Sequence, residues 1–338
     1  MHKNIPIFIP HLGCPHRCVF CDQKTISGHG AFRPERVREE IEAALATLAC
    51  GVQAEIAYFG GSFTAIDPTL MHTLLALAQQ YVDAGRVSGI RFSTRPDALS
   101  ESLLDALAPY TICSIELGLQ SLDDRVLAAA QRGHTAAEAE DACRRIVARG
   151  YTLGGQMMLG LPKSTPESER ETARRICALG AREVRIYPTV VFDGTPLGTM
   201  LQRGEYLPLT VEEAVERCAP LLDIFEQHNV RVLRIGLCES EGMHGERVLG
   251  GAHHPALGEL IRARQYLRKM RELLRAVAPV TGAGICFFVA PGKRSQALGQ
   301  HRYNASLLCE EFQLSRLDVR EDAALSGTQI TISTQEVL

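Results

Sequence analysis

Ile5-Pro-Ile-Phe-Ile-Pro10 runs straight into His11-Leu-Gly-Cys14-Pro-His-Arg-Cys18-Val-Phe-Cys21, and the join between the two decides how the rest of the chain reads. The first piece is a short apolar run of strand length. The second places three thiols, spaced CxxxCxxC, in the loop that leaves that strand. In proteins built on parallel strands, chemistry gathers in the loops beyond the carboxyl ends of the strands. A thiol cluster there predicts an α/β fold with its site at that edge.

Outward from this join, apolar runs alternate with helical patterns. Further strands are predicted at Glu55 to Phe59, Ile90 to Thr94, Ile112 to Leu117, Leu153 to Leu159 and Glu183 to Val191. Between them Pro34 to Leu48, Leu70 to Ala84, Leu103 to Leu107, Ala136 to Arg149 and Glu167 to Leu179 space their apolar residues as helices do. Pro34 suits a first helical turn, and Gly150 suits a position just past a last one. Repeated β-then-α order implies parallel strands. Six such units build either an incomplete barrel or an open doubly wound sheet. A helix at Val211 to His228 and a strand at Arg231 to Leu237 follow. The division expected is a core over residues 1–250 and a small α/β extension over 251–338, with a helix at Leu257 to Ala276 and apolar runs at Ile285 to Val289 and Gln329 to Ile332.

With 338 residues, 46% hydrophobic and 22% charged, the chain has the composition of a globular protein rather than a disordered one. No apolar run reaches the roughly 18 residues of a membrane span. The N-terminus lacks signal-peptide architecture, which predicts a cytoplasmic protein. Eleven cysteines in a long chain suit metal or thiol chemistry better than a disulfide framework. A net charge of -3 gives no global pull toward a polyanion, so RNA binding would need a local patch. Trp is absent and aromatics are 6%, which leaves few platforms for stacking bases.

Three thiolates close together can hold three irons of a [4Fe–4S] cluster, and the fourth iron is then open to an exogenous ligand. The rival reading is zinc, with His16 or His11 as a fourth ligand. The other eight cysteines, from Cys50 through Cys238 to Cys309, show no ligand spacing and read as core thiols.

CxxxCxxC with an aromatic, Phe20, before its last cysteine resembles the radical S-adenosylmethionine superfamily. The resemblance implies a partial (β/α)6 barrel, a [4Fe–4S] cluster on Cys14, Cys18 and Cys21, and S-adenosylmethionine on the open iron. It also implies an electron donor of flavodoxin or ferredoxin type. Tyr58-Phe-Gly60-Gly61-Ser62-Phe63 stands where that family's glycine motif meets the methionine amino group. Phe92-Ser93-Thr94-Arg95-Pro96-Asp97 and Glu116-Leu-Gly-Leu-Gln120-Ser121 stand at or just past the third and fourth strand ends, Arg132 lies on the segment after, and Gln156 falls within the fifth strand. By analogy with the oxygen-independent coproporphyrinogen oxidases, Ser93, Gln120, Arg132 and Gln156 would hold ribose and carboxylate. Those oxidases have acidic residues where Ser93 and Gln156 stand. Glu116 is also placed to face the mouth of the barrel.

A narrower resemblance runs over about residues 55 to 265, through Thr94-Arg-Pro-Asp97, Gly118-Leu-Gln-Ser121, Arg132-Gly-His-Thr135, Ile186-Tyr-Pro-Thr189, Gly194-Thr195, Arg203-Gly-Glu-Tyr206 and Gly251-Ala-His-His254. These stretches are similar to the radical domain of the Elongator catalytic subunit, which modifies the wobble uridine of tRNA. No acetyltransferase domain or basic N-terminal extension is expected in this chain. The implied function is reductive cleavage of S-adenosylmethionine to a 5′-deoxyadenosyl radical used on tRNA. A radical enzyme of small-molecule or cofactor metabolism and a non-enzymatic iron–sulfur sensor are the alternatives. Pro291-Gly-Lys293-Arg294-Ser-Gln296 and His301-Arg302-Tyr303-Asn304 form a basic cluster that reads as a phosphate or carboxylate contact or as a solvated face.

Overall fold

Strand β1 (His2–Ile9) shows the alternation of an edge strand, with Ile5, Ile7 and Ile9 buried and Pro6 exposed. Proline lacks the N–H a ladder needs, so an edge is where a strand tolerates it. The computed structural model describes residues 2–14, 18–22, 25, 32–49, 51–237 and 247–333. Next to β1 come β2 (Gln53–Gly60), β3 (Gly89–Thr94), β4 (Ile112–Gln120), β5 (Thr152–Leu159) and β6 (Glu183–Pro188).

Strands β3 and β4 are buried almost throughout, as parallel strands covered on both faces are, and in β5 Thr152, Gln156 and Met158 are half-buried while the rest is buried. A seventh strand, β8 (Arg231–Ile235), pairs with β6, and all seven run parallel in the order β1-β2-β3-β4-β5-β6-β8. The sheet is a curled half-barrel, the one of the two open alternatives that the family resemblance implied.

The crossovers carry α1 (Val37–Ala46), α2 (Pro68–Asp83), α3 (Glu101–Leu107), α4 (Asp124–Ala129), α5 (Ala136–Ala148) and α6 (Pro166–Ala178); α7 (Pro196–Gln202) and α8 (Val211–Gln227) come later. Their starts are written locally. Asp67 accepts from the Leu70 N–H ahead of Pro68, and Thr135 with Glu138 forms a capping box at α5. No helix among the described residues is long and apolar enough to cross a membrane.

The single strand expected over Glu183 to Val191 is two. Strand β6 ends at Pro188, and β7 (Val190–Phe192) pairs antiparallel with β9 (Val248–Gly251) in a separate ribbon. Thr189 makes the break: its N–H and its hydroxyl both donate to the Leu159 carbonyl, at 2.9 and 2.6 Å.

Residues 1–210 with 224–253 form one unit, and residues 211–223 with 254–338 form a second. In the second, α9 (Leu257–Val277) and α11 (Tyr303–Glu311), with the short α10 (Arg294–Leu298) between them in sequence, accompany a three-stranded sheet. Strand β10 (Gly284–Val289) lies at its centre, parallel to β11 (Arg316–Glu321) and antiparallel to β12 (Ile330–Ser333). Its core is apolar, with Tyr266, Met270, Leu274, Phe287, Leu308 and Val319 all buried.

Candidate functional site

The loop after β1 and the loop after β2 are locked together through backbone. Gly61 N–H donates to the Ile9 carbonyl at 3.0 Å and Ser62 N–H to the Leu12 carbonyl at 2.8 Å. A Cβ on Gly61 would sit 2.0 Å from the Leu12 oxygen, and one on Gly13, whose φ is +70°, would sit 2.3 Å from the Ser62 oxygen. Glycine is required at both positions for this approach. Further on, Val19 N–H donates to the Ala130 carbonyl and the Val19 carbonyl accepts from Leu197 N–H. The Val19 side chain is buried beside Val126, Leu161 and Leu197, with Phe20 packed against the same cluster.

Beyond the carboxyl ends of the strands lies a cavity of about 1510 Å³. Cys14, Cys18, Cys21 and Phe20 line it together with Gly60 and Gly61. Ser93, Gln120, Arg132 and Gln156 line it as well. Ser62 does not: it is buried behind the wall, where its hydroxyl lies 2.9 Å from the Thr94 hydroxyl and accepts from Arg95 N–H. A pocket of about 300–1,000 Å³ suffices for one drug-sized ligand, so this one has room for more than a single such molecule.

Two guanidiniums converge on Cys18. Arg132 Nη1 lies 3.0 Å from its Sγ and Arg95 Nη1 3.7 Å. Asp97 holds Arg95 at 2.9 and 3.0 Å, and Arg95 also donates to the Arg132 carbonyl. Burial pushes the Cys14 thiol up, against the pull of Arg95 and Arg132, and burial beside Cys18 and Cys14 pushes Cys21 up to about 12. Deprotonation of these thiols at neutral pH therefore calls for added positive charge, such as a coordinated metal supplies. Gln120 sits at a register shift near the end of β4 with φ +64°, a left-handed conformation rare outside glycine. Its Oε1 and the Nε of Arg132 are buried without a hydrogen-bond partner among the described residues. Buried polar atoms are ordinarily paired, so these two atoms are suited to a ligand.

Below the cavity the barrel interior is ionic. Arg91 reaches Glu55 at 2.5 Å, Glu183 at 3.0 Å and Glu116 at 3.1 Å, while Arg185 grips Glu116 at 2.6 and 3.0 Å and Arg231 contacts Glu183. Burial alone would raise the Glu183 carboxyl, yet Arg91 and Arg231 hold it below its ordinary value. Gly154 makes room for this layer, since a Cβ there would stand 2.8 Å from Glu116 Cγ. Gln156 joins the two levels by donating to Glu116 at 3.0 Å. Glu116 is thus part of the layer under the site.

The residues able to hold a metal or cofactor are the three cysteines with the amide, guanidinium and glycine backbone groups around them. Among the described residues no three His, Cys, Asp or Glu side chains stand close enough together to hold a metal ion as they are placed, so Cys14, Cys18 and Cys21 share a cavity without converging on one point. His16, proposed as a fourth zinc ligand, lies outside the described residues, as do Cys50 and Cys238. The basic cluster at 291–304 is largely structural: Arg294 and Arg302 donate to carbonyls of β11, and the Asn304 amide is buried against the Ala263 and Ala297 carbonyls. The roles of Arg95 and Asp97 were not read from the sequence. Their signal was a charged pair flanking Pro96 just past a buried strand end.

Residues 8–176 match the radical SAM superfamily, and residues 181–269 match the radical SAM C-terminal domain. The chain belongs to the radical SAM superfamily, a class of enzymes. It is 30% identical over 232 residues to an uncharacterised protein of Methanocaldococcus jannaschii, covering 65% of this chain and 71% of that one. It is 27% identical over 256 residues to a tRNA uridine(34) acetyltransferase of Methanocaldococcus infernus, covering 75% of this chain and 43% of that protein. The chain therefore spans less than half the length of that relative. Among solved structures it resembles the archaeal Methanocaldococcus infernus Elp3 with an N-terminal deletion, with a TM-score of 0.63 and 22% identity over 80% of this chain and 63% of that one. The likeness to that archaeal structure is one of fold.

Proposed function

We propose that this chain binds a [4Fe–4S] cluster through Cys14, Cys18 and Cys21, binds S-adenosylmethionine in the adjoining cavity, and starts radical chemistry on tRNA. The observation that supports this best is the gathering of three thiols, two guanidiniums and two unpaired buried polar atoms around one cavity. When bound, such a cluster supplies the one electron that splits S-adenosylmethionine into methionine and a 5′-deoxyadenosyl radical, which then takes a hydrogen atom from substrate. The electron comes from a donor of flavodoxin or ferredoxin type.

The chain's own residues position and shield. Arg132 is the natural partner for the methionine carboxylate, since a guanidinium presents paired donors to a planar anion. Gln120 Oε1 offers an acceptor to an ammonium or hydroxyl group. The Gly60-Gly61 backbone admits close approach from the amino end, and Ser93 and Gln156 contribute polar edges. Phe20 keeps water from the cysteine side. Residues 1–250 would carry this chemistry, with 251–338 as an extension. A tRNA substrate is supported by the tRNA-modifying relative, and a cytoplasmic, reducing setting suits the thiols.

The test is anaerobic: reconstitute with iron and sulfide, reduce with dithionite, add S-adenosylmethionine, and assay 5′-deoxyadenosine with and without bulk tRNA. Stimulation by tRNA is expected. Formation that tRNA leaves unchanged would redirect the search to small molecules, and no product from cluster-loaded protein would refute the enzymatic reading. A Cys14→Ala, Cys18→Ala, Cys21→Ala triple variant should retain only background iron and form no 5′-deoxyadenosine. Full iron loading in that variant would overturn the ligand assignment.

A further inference from the structure

The cavity has a second wall, opposite in chain order to the strand ends, that the reading above does not use. It is built from the turn after β7 and from α7, and Asp193, Arg203 and Glu205 line the cavity there. This wall is rigid. Thr195 caps α7 by accepting from Gly198 N–H at 3.0 Å while its own hydroxyl donates to the Phe192 carbonyl at 2.7 Å. At the other end Gly204, with φ +71°, stops the helix and sends the chain back, so that Glu205 N–H meets the Met200 carbonyl. Tyr206 then anchors the turn, buried and donating to the Gly160 carbonyl at 2.5 Å.

On this fixed frame the charged side chains are uncommitted. Among the described residues, Asp193, Arg203 and Glu205 make no side-chain hydrogen bond or ion pair, although most arginines of the same unit are paired. One guanidinium and two carboxylates, all exposed along one cavity and without partners among the described residues, suit a ligand that carries both an anionic group and O–H or N–H donors.

We infer that this wall is the substrate subsite and takes a nucleotide unit, its phosphate on Arg203 and its sugar or base donors on Asp193 and Glu205. The inference rests on the proposed function for its substrate class, and deepens it by naming the residues that select the substrate. A free nucleotide and a nucleotide within RNA offer the same chemistry.

Binding, measured without reference to turnover, separates this inference from the radical reading. Affinity for bulk tRNA and for uridine 5′-monophosphate is measured for the full chain, its Arg203→Ala and Arg203→Lys variants, and an Arg174→Ala control that removes an exposed charge from α6. Arg203→Ala should weaken binding by about tenfold, the size of one charge-assisted contact, and lower the salt slope for tRNA by about 0.7 to 0.9. Arg203→Lys should keep part of the affinity and the control all of it. Loss with tRNA alone assigns the subsite to RNA, and loss with the mononucleotide assigns it to free nucleotides. No binding by the unaltered chain, or equal loss in the control, would overturn the inference. An Asp193→Asn, Glu205→Gln double variant should discriminate less between uridine monophosphate and its 2′-deoxy analogue, and undiminished discrimination would remove the carboxylates from the subsite.

Discussion

The two units solve the interior problem in opposite ways. The second unit fills its sheet face with Phe287, Val289 and Ile285 against Leu274 and Leu308. The half-barrel instead fills the layer beneath its cavity with Glu55, Arg91, Glu116, Glu183 and Arg185, charges that must all be matched. An apolar core needs only volume, whereas an ionic layer needs each partner, because an unpaired charge in low dielectric is costly. The difference teaches where this chain tolerates change.

The largest effect expected is on stability. Glu116→Ala leaves Arg91 and Arg185 without their shared carboxylate and should cost about 3–5 kcal/mol, and Phe287→Ala should cost about the same through its cavity. The comparison sharpens with shape-conserving changes. Ile285→Leu should cost under about 1.5 kcal/mol, while Glu116→Gln, though equal in size, should approach the alanine variant. Denaturant unfolding measures all four, and a mild Glu116→Gln would break the contrast.

Next is Gly61→Ala, whose methyl group must displace backbone of the cysteine loop and should cost about 1–3 kcal/mol. Iron content after reconstitution should fall with it, and normal loading would show that the loops yield more easily than their contacts imply. Arg132→Ala should weaken S-adenosylmethionine binding by about tenfold or more, the value of a charged hydrogen bond, with the cluster retained. Unchanged affinity, read by equilibrium binding, removes Arg132 from the site.

The smallest effect concerns acid. Burial, and then the Arg132 charge, lower the His134 pKa from 6.5 to about 4. The unfolded chain therefore takes up this proton first, so the stability His134 contributes is whole above pH 6.5 and is lost as pH falls toward 4. The melting temperature of His134→Gln should fall less over that window than that of the unaltered chain. Equal slopes would show that the carboxylates dominate.

The parallel strands and the cysteine loop were legible because apolar runs and ligand spacing are local signals. Thr189 was not, because Pro188 to Phe192 reads as one apolar run until the Leu159 carbonyl claims it. Strand β11 was missed because Arg316, Asp318 and Arg320 hide the alternation of Leu317 and Val319, which are buried. The ionic layer was invisible for a related reason: Glu55, Arg91, Glu183 and Arg185 look like surface charges until neighbouring strands bring them together. Spacing and resemblance pointed to Cys14, Cys18, Cys21 and Arg132, and these four line one cavity. The left-handed turn at Gln120 has no sequence mark, since only the register shift of β4 creates it.

The mutual fit of Gly13 and Gly61 makes two stretches distant in sequence a single structural module. A chimera that imports residues 9–14 from a relative must also import 60–66, because each loop is the mould of the other. Lineages that lengthen the thiol loop before Gly13 should therefore carry a matching change near Ser62, so the two stretches would drift as one.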